Sequence, residues 1–241
     1  MTYAEADACA VAQLLTRPEG GGLPAQNVKV LLGAEATLTA ISAEVTALLR
    51  KAARPGSVGI VYFAGHGAPD VDGSGAVRST FLVPYDGRPD ALGETGYAMK
   101  RLADRLEDAP GGQIVALLDA CFTGGGRSVA PRGARAILPK DLLARAKVSV
   151  ARRDRAIFAA AGPAERAYDD PARGHGLFTG VLLEALAGDA DRDGDGRVTL
   201  SEAASFVTPR VRADSPALGG TQGPVLTGQA SDLVLSSPGR R

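Results

Sequence analysis

Two short stretches of this 241-residue chain end in side chains suited to acyl transfer. Val61-Tyr62-Phe63-Ala64 runs into Gly65-His66-Gly67, and Leu117-Leu118-Asp119-Ala120 runs into Cys121, Phe122, Thr123 and three glycines. A thiol attacks carbonyls as its thiolate, and its free pKa is about 8.5. A nearby imidazole holds the thiolate as an ion pair and later protonates a leaving amine. The tetrahedral oxyanion needs fixed N–H donors, and the backbone N–H groups of Gly67 and Cys121 are the candidates. Alone, a buried cysteine is ordinarily an inert apolar residue. A lone histidine in a glycine-rich loop is ordinarily incidental too. What sets these two apart is that they occur at the ends of two similar apolar runs.

A second constellation spans 191–202. Asp191, Asp193 and Asp195 occupy positions 1, 3 and 5 of a calcium-type loop, and Gly196 makes the turn at position 6. Arg197 would offer its backbone carbonyl at position 7, Thr199 lies at position 9, and Glu202 closes the loop at position 12. Carboxylates converging on one point repel without a cation. The expectation is Ca²⁺ in a structural or modulating role; a solvated acidic loop is the plainer alternative.

The surrounding pattern implies the elements that position these residues. Val58–Ala64 and Gln113–Leu118 are continuous apolar runs, so they read as strands buried on both faces. Val28–Leu32, Thr80–Val83 and Arg155–Ala160 read as further strands, with Asp232–Leu235 as a last, edge strand. Helical spacing marks Ala6–Leu15, Thr39–Ala52, Gly96–Leu106, Leu177–Leu186 and Ser201–Val207. This alternation predicts an α/β fold, a three-layer αβα sandwich around a mostly parallel sheet of about six strands. In such sheets sites form beyond the carboxyl ends of the strands, where His66 and Cys121 lie. The long stretch 122–154 exceeds an ordinary connection, carries many arginines and holds one candidate helix, Asp141–Ala146. The whole, 1–241, reads as a single domain.

Composition narrows the function. With 27 basic and 27 acidic residues, the chain is no globally basic nucleic-acid binder. Aromatics at 5%, without tryptophan, argue against a base-stacking surface. Two cysteines make no disulfide framework. No apolar run approaches the ~18 residues of a membrane span, and the first residues lack a signal peptide's pattern. A cytoplasmic protein with reduced thiols, engaging neither nucleic acid nor membrane, is the expectation.

The sequence resembles the caspase-like cysteine peptidases, most closely their bacterial and metacaspase-type members. VYFAGHG (61–67) and LLDACFTGG (117–125) carry the likeness, with the cysteine 55 residues after the histidine. TFLVPYDG (80–87), IFAAAGPAERAYD (157–169) and HGLFTGVLLEAL (175–186) also look like the family, so the resemblance covers most of the chain. It implies that Cys121 is the nucleophile, His66 the acid/base and Gly67 an oxyanion donor. It also implies cleavage after Arg or Lys in peptide substrates, with Asp119 and Asp7 binding the cationic side chain. An Arg-rich 122–154 linker would then be a site of self-cleavage. The chain departs from the family at Phe122, where metacaspase-type members more often carry histidine, and at the start, where the family places a core strand ahead of the first helix. Two other readings stay open: a catalytically silent interaction module of the same fold, and a calcium-responsive binding domain.

Overall fold

A computed structural model of the chain describes residues 2–71, 77–122, 150–162 and 165–239. The helix expected at Asp141–Ala146 and most of the Arg-rich stretch lie outside them. In chain order the elements are α1 (Ala4–Thr16), α2 (Leu38–Lys51), β1 (Val58–Ala64), β2 (Gly67–Val71), β3 (Val77–Leu82), α3 (Leu92–Thr95), β4 (Tyr97–Ala98), α4 (Met99–Asp108) and β5 (Gln113–Asp119). Then come β6 (Arg155–Ala159), β7 (Asp169–Asp170), β8 (His175–Gly176), α5 (Leu177–Glu184), β9 (Val198–Thr199), α6 (Leu200–Asp214), β10 (Val225–Gly228) and β11 (Val234–Ser236).

The central sheet runs β1-β5-β6-β10. β1, β5 and β6 are parallel, and β10 closes one edge antiparallel to β6. β5 and β6 sit centrally with both of their faces covered, whereas β1, also expected to be buried on both faces, lies at an edge of the described sheet and is half-buried over most of its length. Val115, Leu117, Ala156 and Phe158 face α5 and α6, while Ile114, Ala116, Leu118 and Ile157 face α2 and α4. Period-2 alternation along each strand separates these two cores. Thr37 caps α2 by accepting from the Ala40 N–H (3.2 Å), and Thr199 and Glu202 form a reciprocal capping box on α6.

The αβα expectation holds, with differences in detail. The main sheet has four strands among the described residues rather than about six. Val28–Leu32 is extended at both ends (φ −104°, ψ 122° at Val28; φ −123°, ψ 146° at Leu32) but joins no sheet, because no described strand lies beside it. The antiparallel edge is Val225–Gly228, whose short run between glycines carries little periodic signal. The expected last strand, at Asp232–Leu235, forms instead at Val234–Ser236 and pairs with β9 outside the main sheet. No helix among the described residues is long and apolar enough to cross a membrane.

Arg155 opens β6 with no solvent exposure. Its guanidinium donates to the carbonyls of Leu106 (2.6 Å), Ala109 (2.5 Å), Gly111 (2.9 Å), Gly112 (2.5 Å) and Asp154 (2.9 Å). It thus closes the end of α4 onto the turn that starts β5. A buried cation is tolerated only when its donors are satisfied, and here five carbonyls satisfy them. Removing it would take a donor from all five at once, leaving Ala109 with the Arg152 side chain (3.0 Å) and Asp154 with the Ile114 N–H (2.9 Å). Arg155→Met is expected to cost about 3–5 kcal/mol, read as a lowered urea midpoint at unchanged m-value.

Candidate functional site

The site is built where β1 and β5 end. Their parallel ladder runs from Val58↔Gln113 to Ala64↔Asp119, and the Gly65 N–H then donates to the Asp119 carbonyl (3.2 Å). His66 and Cys121 each lie two residues beyond the last paired position. The chains stay adjacent past the ladder. A Cβ on Gly67 would stand 2.5 Å from the Cys121 carbonyl oxygen and 2.7 Å from the Phe122 ring. Only glycine permits that approach, so Gly67 is required by backbone packing as well as being the candidate oxyanion donor. The His66 carbonyl accepts from the Val83 N–H (2.8 Å), which ties the histidine turn to the end of β3. Cys121 is 1% exposed, while His66 is half-buried.

Side-chain alternation carries Asp119 and Cys121 to the same face as Val115 and Leu117, the face covered by α5. There Asp119 accepts from the Thr179 N–H (3.3 Å) and hydroxyl (2.6 Å), and that hydroxyl lies 2.6 Å from the Tyr62 hydroxyl. Asp7 is also fully buried. Its carboxylate accepts from the Gly176 N–H (3.1 and 3.2 Å) and lies 2.8 Å from His175 Nδ1. The two predicted substrate carboxylates are thus both held at the start of α5, one at its N-cap residue and one in its first turn. Unpaired N–H groups and the helix dipole both favour anions there.

Tyr62 and Thr179 escaped the sequence reading. Tyr62 sits inside an otherwise apolar run, and its position on the Ile60 side was the available signal. Thr179 interrupts LFTGVLL, an apolar stretch that reads as core. His175, two residues ahead of α5, partners Asp7. The other cysteine, Cys9 in α1, is half-buried.

The calcium-type loop lies apart, between α5 and α6. One carboxylate oxygen from each of Asp191, Asp193 and Asp195 can be chosen so that all three lie within 4.8 Å of one another. Asp191 accepts from the Gly194 and Gly196 N–H groups (both 3.0 Å), which wraps the loop around it. Arg197 is exposed and its N–H donates to Asp195 (2.8 Å). Glu202 turns back into the loop, accepting from the Arg192 N–H (3.1 Å) and from the Thr199 N–H (2.9 Å) and hydroxyl (2.8 Å). Val198 and Thr199 pair with β11, which braces the exit of the loop.

Arg173 fastens the neighbouring turn. It binds Asp170, Glu184 (3.0 Å) and Asp214 (2.8 Å), joining β7, α5 and α6.

A family model described as caspase domain matches residues 1–234. Protein GSU0716 from Geobacter sulfurreducens has a similar structure, at 17% identity and a TM-score of 0.59, covering 96% of this chain and 89% of that chain. Caspase-1 from Spodoptera frugiperda is similar at 16% identity and a TM-score of 0.58, covering 98% of this chain and 81% of that chain. At these identities the structural likeness is one of fold. No curated protein matches.

Acid should loosen this region. Burial pushes the Asp170 carboxyl up, but hydrogen bonds from the Arg173 side chain and from the Arg173 and Ala172 N–H groups outweigh it and hold the group below its ordinary value. Burial likewise opposes ionisation of Glu202, and the hydrogen bonds from Thr199 and Arg192 again win. Carboxyls depressed in the folded state stabilise it above their unfolded pKa of about 4. That stability is lost as pH falls through their lower folded values. The urea midpoint should therefore be level above about pH 5 and fall below about pH 4, with a shallower fall in Asp170→Asn.

Proposed function

The chain belongs to the caspase-domain family, and on that premise we propose that it is a cysteine endopeptidase that cleaves after Arg or Lys. The observation that carries the reading is the shared end of β1 and β5, which sets His66 and Cys121 two residues past one paired position. In this mechanism His66 takes the Cys121 proton, and the thiolate attacks the scissile carbonyl. The Gly67 and Cys121 N–H groups stabilise the oxyanion. Collapse of the tetrahedral intermediate breaks the C–N bond, and His66 protonates the departing amine. Water, deprotonated by His66, then attacks the thioester and frees Cys121.

Specificity for a cation rests on Asp119, with Asp7 beside it at the start of α5. A carboxylate matches a guanidinium in a bidentate fork. Both carboxylates also bind backbone N–H groups, so each has a structural role of its own.

Hydrolysis of Arg-, Lys- and Asp-ended fluorogenic peptides separates this reading from a silent module of the same fold. Arg and Lys substrates should be cut and Asp substrates spared. Cys121→Ala should lower kcat/KM by about 1000-fold or more, and activity that survives it would sink the peptidase reading. Asp119→Asn should lose about 10–100-fold on Arg substrates with its melting temperature followed in parallel. A matching loss on neutral substrates would assign Asp119 to structure alone.

The second part of the proposal is that Asp191, Asp193, Asp195, the Arg197 carbonyl, Thr199 and Glu202 hold Ca²⁺. All-oxygen donors suit a hard cation, and the convergence of the three aspartates supports it. The ion would neutralise the loop and brace α6. Millimolar Ca²⁺ should raise the melting temperature of the wild type and not of Asp191→Asn/Glu202→Gln. A chelator that changes stability but not turnover would make the ion structural.

A further inference from the structure

Tyr62 and Thr179 are hydroxyl side chains set into apolar elements. Thr179 has no solvent exposure, and its neighbours in α5, Leu177, Phe178, Val181 and Leu182, have none either. Tyr62 packs against the same core from β1, as Ile60 does. A buried hydroxyl costs free energy unless it is hydrogen-bonded. Valine would fill the space of Thr179 without that demand, so the worth of the hydroxyl lies in what it binds.

It binds on two sides. Thr179 Oγ1 donates to Asp119 Oδ2 (2.6 Å) and lies 2.6 Å from the Tyr62 hydroxyl. A threonine hydroxyl has one proton, and an ionised carboxylate only accepts. With that proton directed at Asp119, Thr179 accepts from Tyr62. The chain therefore runs one way, from the Tyr62 O–H to Thr179 and from the Thr179 O–H to Asp119. Its last bond falls in the range of about 2.5–2.7 Å for a hydroxyl on a charged acceptor, and successive bonds in such a chain polarise one another. The Thr179 N–H adds a second donor to the same oxygen (3.3 Å).

The chain spans the two strands that build the site. Tyr62 is paired with Leu117 and Ala64 with Asp119. The tyrosine thus lies on the strand that leads to His66, and the aspartate on the strand that leads to Cys121. Thr179 joins them from the first turn of α5.

A guanidinium makes a particular demand on that carboxylate. The bidentate fork needs both carboxylate oxygens in the guanidinium plane. An ammonium is a point charge and has no plane to match. A carboxylate that must be ordered on binding weakens affinity, and one ordered beforehand does not. Two donors on Oδ2 set the rotation of the Asp119 carboxylate in advance. Without the hydroxyl only the longer N–H bond remains.

We propose that Thr179 and Tyr62 are positioning residues for specificity: acting through Oδ2, they hold the Asp119 carboxylate in the orientation that favours an arginine side chain over a lysine. The inference rests on the reading of Asp119 as the seat of the substrate cation.

Two measurements on the full chain test it. Calorimetry gives the affinity for benzamidine, a planar amidinium that needs no turnover, and kinetics give kcat and KM on Arg- and Lys-ended peptides. The proteins are wild type, Asp119→Asn, Thr179→Val, Thr179→Ser and Tyr62→Phe. Thr179→Val should weaken benzamidine about tenfold and Tyr62→Phe about threefold. The same factors should appear in KM for the Arg peptide, with kcat held and a smaller loss on the Lys peptide, so that the Arg-to-Lys ratio of kcat/KM falls. Thr179→Ser, which keeps the hydroxyl, should restore both affinity and ratio. Benzamidine bound as in wild type by Thr179→Val and Tyr62→Phe, but weakly by Asp119→Asn, overturns the positioning role and leaves the cation reading standing. Equal losses on Arg and Lys peptides, or a loss confined to kcat, also overturn it, since a general structural defect spares neither substrate. Benzamidine binding that is absent, or indifferent to Asp119→Asn, sinks the cation reading and the positioning role with it. Melting temperatures identify a variant that fails to fold, and Tyr62→Phe, at a half-buried position, keeps the test open should Thr179→Val do so.

Discussion

The parallel register between β1 and β5 is the constraint on which the site depends. Seven paired positions hold the two strands so that their exits fall at one edge, side by side. Parallel pairing requires the chain to return by a long crossover, and the hairpin and α4 between the two strands supply it. A slip of one residue would turn every side chain of a strand to the other face. Asp119 and Cys121 would then leave the α5 side of the sheet. Burial of both faces is what forbids that slip, since each strand carries apolar residues into two separate cores. The same crowding explains Gly67, where no Cβ fits against the Cys121 carbonyl.

The start of α5 is the electrostatic counterpart of that register. Two fully buried carboxylates from distant parts of the chain, Asp7 and Asp119, share its first N–H groups. Burying two like charges near each other is costly unless donors compensate, and the helix start offers them ready-made. α1, β5 and α5 are joined by these contacts. Arg173 extends the junction to α6 and so toward the acidic loop. Arg155 does the corresponding work at the far end of the sheet, where it gathers five carbonyls around one buried cation. The molecule therefore fixes both ends of its central strands with buried charge, and the apolar layers fill what lies between.

Much of this was legible in the chain. Val58–Ala64 was read with the same bounds, and the helices at 4–16, 38–51 and 99–108 within a few residues, because long periodic segments report burial directly. Where the reading failed, local signal was weak or the partner was remote. Val28–Leu32 has a strand's composition but pairs with nothing described, since strand formation needs a neighbour as well as a propensity. Val225–Gly228 is short and bounded by glycines, yet it closes the sheet because β6 offers it an edge. Tyr62 and Thr179 looked apolar by context, and only their meeting with Asp119 makes them polar partners.

The chain alone determined residue types and local order: a histidine and a cysteine each closing an apolar run, three aspartates and a glutamate at calcium-loop spacing, and strands alternating with helices. Those follow from periodicity and spacing, which are properties of neighbours along the backbone. Tertiary structure alone decided which strand ends stand together, why Asp7 and Asp119 meet at one helix start, and that β1 lies at the edge of the sheet among the described residues. Such facts depend on contacts between residues as far apart as Asp7 and Gly176, and no local pattern encodes a contact whose energy appears only when both partners are buried together.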